Sequence, residues 1–500
     1  MQLTEDKVKR IYSDYKRRAT HASKRGNDSM CLKYLKAAAL TAYFFYLDYK
    51  DDDLEDLLHH TAKHLKRNNE QTDRRNDECV FYDALSADNQ GLVQQYLNAI
   101  MHRGMKIRYI TERNGFRASE SKIKQMLNQY GKAEIIEIPS NLSYIEKAQY
   151  VYDRIAETRA SRLFIHSHPS SSYACTAFYA LPESIKKYKI NLTDHTFWIG
   201  TRFIDYSFEF RAFGCVLSAN DRGIDRKKLL MLPFYPVMTE TPFLGFPKEA
   251  EGKVVIFSGA NNYKIYGKDD IFFKMTKAIL DACPEAIFLY AGTGDANELQ
   301  AKLEQYELVG RFIPIGYRTD ITQVFRHCDI FLNTYPIGGA LMLQYAAQLS
   351  KPILCYRSET TAGAEDIVCQ LKQMSISDRD IPSLVKRAKH LVESPENRRA
   401  YGEELRNCVV TPERFNQMFA TYLENGVNQL EYSDEVSYKE HTKDIQDKLT
   451  YENTTKEFQC RLVKIVGVSS LWQCSSILLT SIIAVVKGNR VMKAFKNRKK

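Results

Sequence analysis

Two hydrophobic periodicities divide the chain. Up to about residue 76 apolar positions recur at helical spacing. "CLKYLKAAALTAYFFYLDYK" predicts a long helix, and "DDDLEDLLHHTAKHLKRN" a second one. Asp51, Asp52 and Asp53 suit its start by capping and by favourable placement at the positive end of the helix dipole. From about Glu78 short apolar runs alternate with helical segments, the pattern of a parallel α/β sheet. "CVFYDAL", "KIRYITE", "AEIIEIP", "RLFIHSHPSS" and "KINLTDHTFWIG" read as strands with their exit loops. "CVLSAND" and "KLLMLPFYP" complete this half. Prolines and glycines from Pro233 to Pro247 mark a linker, after which "KVVIFSGANNYKI", "AIFLYAGTGD", "RFIPIGY" and "DIFLNT" alternate with helices again. The expected division is a helical appendage at 1–76 and Rossmann-like domains at 77–240 and 250–425. A polar linker at 426–463 and a hydrophobic helix with a basic tail at 464–500 follow. Two such α/β halves face a cleft, and ligands in these folds bind at the carboxyl ends of strands.

The stretch from Ile330 to Leu354 concentrates the candidate chemistry. It reads as a strand, the breaker cluster "YPIGG", a helix "ALMLQYAAQL" and, past Pro352, the next strand. Glycines at 338 and 339 widen the backbone choice and let a ligand approach the main chain. The helix behind them begins with unpaired N–H groups and a partial positive charge, which suits a diphosphate.

Composition removes several alternatives. The 500 residues carry 44% hydrophobic content, ample for two or three domains. The net charge of +10 comes largely from the acid-free tail, where Lys487, Arg490, Lys493, Lys496, Arg498, Lys499 and Lys500 stand. No folded segment shows the basic face that nucleic-acid binding requires. The 11 cysteines form no CxxC pair, which excludes a zinc ribbon and fits a reducing cytosol. "MQLTEDKVKR" lacks the apolar core of a secretory signal. His59, His60 and His64 can share a helix face, yet no acid or cysteine completes a metal set, and no metal is expected.

The order of these pieces over residues 78 to 425 resembles the GT-B glycosyltransferases. "RLFIHSHPSS" and "INLTDHTFWIG" are similar to the histidine loop and following strand of family 4 enzymes, and "SGANNYKIYGKDD" resembles the corresponding segment of the protein O-GlcNAc transferase type. The resemblance implies a nucleotide-sugar donor (a UDP-sugar) and no further cofactor. It makes His195 the functional histidine, with His166 and His168 near the acceptor. It puts Lys264, or Lys268, on the donor diphosphate. Gly338, Gly339, Ala340 and Tyr345 fall along the phosphate loop and helix, and Gly292 in "YAGTGD" lies near the base. Asp88, Asn89, Gln90 and Gly91, at the first strand's exit, occupy the acceptor side. Ala260 stands where family 4 carries an arginine, and Ile337 and Tyr345 where it carries two glutamates. The stereochemistry is therefore open.

Glycosyl transfer creates a leaving diphosphate and an oxocarbenium-like centre. Without a metal, cations and N–H dipoles stabilise the leaving group, roles open to Lys264 and the Gly338–Gly339 helix start. Histidine suits the base for an acceptor hydroxyl, and Asp194 beside His195 can orient it. Ile465 to Val486 is free of charge over about one bilayer's worth of helix. A spanning helix would place the basic tail away from the cytosol, against the positive-inside tendency. Interfacial attachment keeps the tail on anionic lipid. The expected protein is a glycosyltransferase peripheral to the cytosolic membrane face, acting on a lipid-linked saccharide in cell-surface polysaccharide assembly. A polypeptide acceptor, or a non-catalytic scaffold, are the alternatives.

Overall fold

The computed structural model describes residues 4–67, 70–85, 93–112, 121–267, 269–357, 364–432, 458 and 461–466. Three helices open the chain: α1 (Glu5–Lys24), α2 (Asp28–Phe45) and α3 (Asp52–Ala62). Asn27 caps α2 through Met30 N–H, and Asp51 caps α3 through Asp53 and Leu54 N–H, as the acidic run predicts.

The first sheet is built from β1 (Arg75–Asp83), β2 (Lys106–Thr111), β3 (Ala133–Glu137), β4 (Ala160–His166), β5 (Lys186–Asn191), β6 (Tyr206–Glu209) and β7 (Leu229–Met231). All its strand pairs are parallel, in the order β3-β2-β1-β4-β5-β6-β7. The order reverses between β1 and β4, where Asp83 pairs in register with His166. Helices α4 (Val93–His102), α5 (Lys122–Tyr130), α6 (Tyr144–Ala156), α7 (Ser172–Ala180) and α8 (Ala212–Asn220) accompany these strands.

The second sheet contains β8 (Val254–Asn261), β9 (Ala286–Thr293), β10 (Phe312–Pro314), β11 (Ile330–Leu332), β12 (Ile353–Tyr356) and β13 (Ser377–Asp378), in the order β10-β9-β8-β11-β12-β13 and again parallel. With it come α9 (Ile271–Ala282), α10 (Ala296–Gln305), α11 (Ile321–His327), α12 (Ala340–Gln348), α13 (Glu365–Val368), α14 (Ile381–Glu393), α15 (Pro395–Arg406) and α16 (Pro412–Asn425). The two-sheet α/β architecture agrees with the sequence pattern.

Packing changes the reading of the chain's ends. Leu32, Leu35, Leu54 and Leu58 of α2 and α3 share one core with Val80, Tyr82, Leu163 and Ile165 of the first sheet. The opening helices therefore cover that sheet rather than hang from it. The last helix, α16, leaves the second sheet and returns to the first. Its Phe415, Phe419 and Tyr422 pack with Phe81, Phe164 and Phe208, each worth about 1.5–3 kcal/mol of burial. The linker is held from both sides. Gln95 exchanges hydrogen bonds with the Tyr235 backbone, and Tyr345 donates to the carbonyl of Val237 at 3.1 Å.

Two elements escape the sequence pattern. Residues 206–209, within "TRFIDYSFEFR", form β6, a strand absent from the expected set. Tyr206 and Phe208 alternate with Ser207 and Glu209, and both of these polar residues are fully buried. "CVLSAND" lies within α8. Among the described residues no helix is long and apolar enough to cross a membrane. Most of the uncharged stretch, from Gly467 on, lies outside them.

Candidate active site

His195 sits in the loop that leaves β5. Its Nδ1 is 3.2 Å from Oδ1 of Asp194, and its ring is partly open, at 34% exposure. Asp194 is fully buried. Arg211 grips it with two hydrogen bonds, Nε to Oδ2 at 2.5 Å and Nη2 to Oδ1 at 3.0 Å. Burial opposes ionisation of Asp194, but the Arg211 charge and the hydrogen bonds from His195 and Arg211 outweigh it. They hold the carboxyl well below its usual range. Arg222 fixes the same loop from below, donating to the carbonyls of Asp194 and Thr196 at 2.6 Å each. The Arg222 guanidinium lies near the rings of Trp198 and Tyr49. From the other side Tyr46, at the end of α2, stacks on His195 with centroids 6.3 Å apart.

His166 ends β4, and its Nδ1 is 2.9 Å from Oδ1 of the buried Asp83. Tyr109 donates to the other Asp83 oxygen at 2.6 Å. With 7% of its side chain exposed, His166 is a satisfied histidine in the floor of the switch point. His168 is more open and meets the ring of Tyr43 at 5.3 Å. Ser170 N–H donates to its Nδ1. Burial and the nearby charges of Lys36, Arg461 and Lys189 push its pKa down to about 3, so it is neutral.

Across the cleft, β8 ends in a single turn, Asn262–Lys264. Lys264 is half-buried, and burial lowers its pKa. Among the described residues no carboxylate pairs with its ammonium. Its carbonyl accepts from Ile337 N–H at 3.3 Å, which ties this turn to the Gly338–Gly339 turn. Neither glycine has a positive φ; the expectation of unusual backbone angles there is corrected. Space is the reason for glycine instead. A Cβ on Gly338 would lie 3.0 Å from Asn333 Nδ2, while Asn333 Oδ1 accepts Gly339 N–H at 3.1 Å. Ala340 then starts α12 with no side-chain cap, leaving its first N–H groups for a ligand. Gly292 has the same role in β9. A Cβ there would strike the Tyr290 ring and lie 2.7 Å from Asn262 Oδ1. The side chain of Tyr263, beside Lys264, bears electrostatically on the Tyr46 hydroxyl.

Tyr345 does not belong to this constellation. It is 1% exposed in the core, and its hydroxyl holds the linker. Its expected place beside the donor is corrected, because the α12 face that carries it points inward. Lys268, Asp88, Asn89 and Gly91 lie outside the described residues. Sequence reasoning missed the parts played by Tyr46, Arg211 and Arg222. It also missed Asp366 of α13, which accepts from Ala212 and Phe213 N–H at 3.1 and 3.3 Å and so caps α8 across the domain boundary. Arg211 lies 3.9 Å from Asp366.

No family model matches the chain, and no curated protein does. Solved structures are similar in fold. A glycosyltransferase of Rickettsia africae has a TM-score of 0.52 at 11% identity, covering 70% of this chain and 98% of that one. TarM of S. aureus, solved with fondaparinux, α-GlcNAc-glycerol and UDP, has a TM-score of 0.50 at 9% identity over 70% and 100%. Anabaena HepE, solved with UDP and glucose, has 0.50 at 13% over 69% and 99%. These neighbours are GT-B glycosyltransferases. The chain shares their fold, two parallel α/β domains around a cleft.

Proposed function

From the GT-B fold as premise, we propose that the protein transfers a sugar from a UDP-sugar to a lipid-linked saccharide at the cytosolic membrane face, in polysaccharide assembly. The observation that carries the reading is Lys264: a half-buried cation with no carboxylate partner among the described residues, joined to the uncapped start of α12. A cation and helix N–H groups at one point suit a diphosphate, and they stabilise it most as it leaves. Opposite stands His195, oriented by Asp194 and accessible from the cleft. In this reading its Nε2 takes the acceptor hydroxyl's proton as the new bond forms.

The acceptor class rests on the chain's end. Phe458 is buried against Phe44 and Phe45 of α2, with ring centroids 5.8 and 4.8 Å away, and Leu462 and Val466 join the same core. The uncharged stretch Ile465–Val486 thus departs from the helix whose tyrosines touch both His168 and His195. A lipid carrier held by that stretch would present its saccharide at the cleft.

Thermal-shift titration with UDP, GDP, CDP and dTDP tests the donor site. UDP raises the melting temperature of the wild type by mass action. Lys264→Ala weakens UDP by about ten-fold to a hundred-fold, the value of one charge-assisted contact. No stabilisation by any of the four overturns the reading. Flotation with anionic liposomes, full chain against a chain ending at Val466, tests the membrane assignment; equal partitioning to the soluble fraction defeats it.

A further inference from the structure

Beside the histidine loops lies a second cationic site. Lys36 of α2 and Lys147 of α6 converge on one ring, that of Tyr173 at the start of α7. Their ammonium nitrogens stand 5.9 and 5.8 Å from its centroid, and Lys36 is also 5.8 Å from the Tyr144 ring. Both lysines are half-buried. Burial and the charge of Lys36 both lower the Lys147 pKa, so the two cations repel each other where water is scarce. Two other half-buried lysines are neutralised: Lys16 has Asp51 at 2.6 Å and Asp53 at 2.7 Å, and Lys302 has Asp270 at 2.6 Å. Among the described residues neither Lys36 nor Lys147 has a carboxylate within 4.0 Å. Glu112, at the exit of β2, attracts Lys147 but is engaged by the hydroxyls of Tyr82, Ser171 and Tyr173.

A pair of part-buried cations without counter-ions costs free energy unless an anion completes it. The partly exposed ring of Tyr144 beside them offers a stacking surface of the kind on which sugars rest, while Tyr173 is buried and serves as the floor under both ammonium groups. The site belongs to the first domain, and Tyr43 of α2 and Tyr46, just past its end, link its neighbour His168 to His195.

We infer that Lys36 and Lys147, with the ring of Tyr144, form an acceptor subsite for a phosphate ester attached to the saccharide. The inference deepens the glycosyltransferase reading and rests on it for the word acceptor; the phosphate site itself does not depend on it. The phosphate belongs either to a lipid carrier or to a free sugar phosphate.

The test is calorimetric titration of the full chain, saturated with UDP so that the Lys264 site is filled. The probes are glucose 1-phosphate, decyl phosphate and uncharged methyl glucoside. In wild type the two phosphates bind and methyl glucoside does not. In the double variant Lys36→Gln, Lys147→Gln, phosphate affinity falls by about ten-fold or more, the worth of lost charge-assisted bonds. UDP affinity is unchanged, and the melting temperature is equal or higher because the repulsion is gone. A structural role for the lysines predicts a lower melting temperature with unchanged phosphate binding, and that result overturns the inference. So does equal binding of methyl glucoside. Tighter decyl phosphate than glucose 1-phosphate assigns the lipid carrier, and equal affinities assign the free ester. Failure of UDP to bind overturns the glycosyltransferase reading instead, and the phosphate titration then stands by itself.

Discussion

Arg211 and Asp194 form a two-pronged pair, at 2.5 and 3.0 Å, directly beneath His195. The third contact of the same carboxylate, 3.2 Å to His195 Nδ1, makes the orientation of the histidine a consequence of that pair. Removing the guanidinium leaves a buried carboxylate without its paired cation. Arg211→Gln is expected to cost about 3–5 kcal/mol in urea unfolding. Arg211→Lys loses the fork geometry and recovers only part of it. The sign with pH follows from the depressed Asp194 carboxyl. Its stabilisation is complete above the unfolded value of about 3.9 and is lost as pH falls through the lower folded value. In Arg211→Gln that acid-side loss shrinks, as urea curves across the acid range will show.

His195→Gln removes the candidate base while leaving a polar side chain in the loop. Donor-sugar transfer should fall by about a hundred-fold to ten-thousand-fold, with UDP affinity unchanged. Steady-state turnover beside the UDP titration checks this. A drop in UDP binding of the same size would move His195 from the chemistry to the donor site.

Glu209 is buried below the same loop, accepting from Asn191, Ser207 and Ser218 at 2.8 Å each. Burial raises its pKa to about 7, with Arg222 and the serine hydroxyls acting the other way. A raised carboxyl contributes stability that is present below the unfolded value of about 4.3 and lost as pH rises through the folded value. Stability should therefore decline between those two values and then level off. Glu209→Gln should flatten this stretch of the curve, as denaturant midpoints measured across it will report.

Gly292→Ala drives a methyl group into Tyr290 and Asn262. Overpacking of this kind costs about 1–3 kcal/mol, and the displaced Asn262–Lys264 turn should weaken UDP along with the fold. Gly310→Ala, where a Cβ would meet nothing within 4 Å but φ is +82°, should lose stability through backbone strain without changing UDP affinity. Comparing the two separates the donor loop from general stability.

Local spacing determined much of this protein. The alternation of strand and helix, the Pro233–Pro247 linker, Lys264 after β8 and the Gly338–Gly339 turn before α12 are all readable, because periodicity, caps and breakers act among neighbours in sequence. What joins distant residues was not readable. Strand β6 hides because Ser207 and Glu209 are buried, Ser207 bonded to Glu209 and Glu209 satisfied by Asn191 and Ser218 from other elements. Tyr345 carries helical apolar spacing like its neighbours, and only the packing of α12 shows that it faces the linker. The opening helices look self-sufficient until Leu32 and Leu54 are found in the core of the first sheet. Helix α16 follows the second sheet in the chain and belongs to the first in space. Tyr46 reaches His195, and Asp366 caps α8, across separations that no periodic pattern encodes. Burial decides these placements: an apolar face or a charge settles where the fold supplies a partner, and that partner is chosen by tertiary packing rather than by distance along the chain.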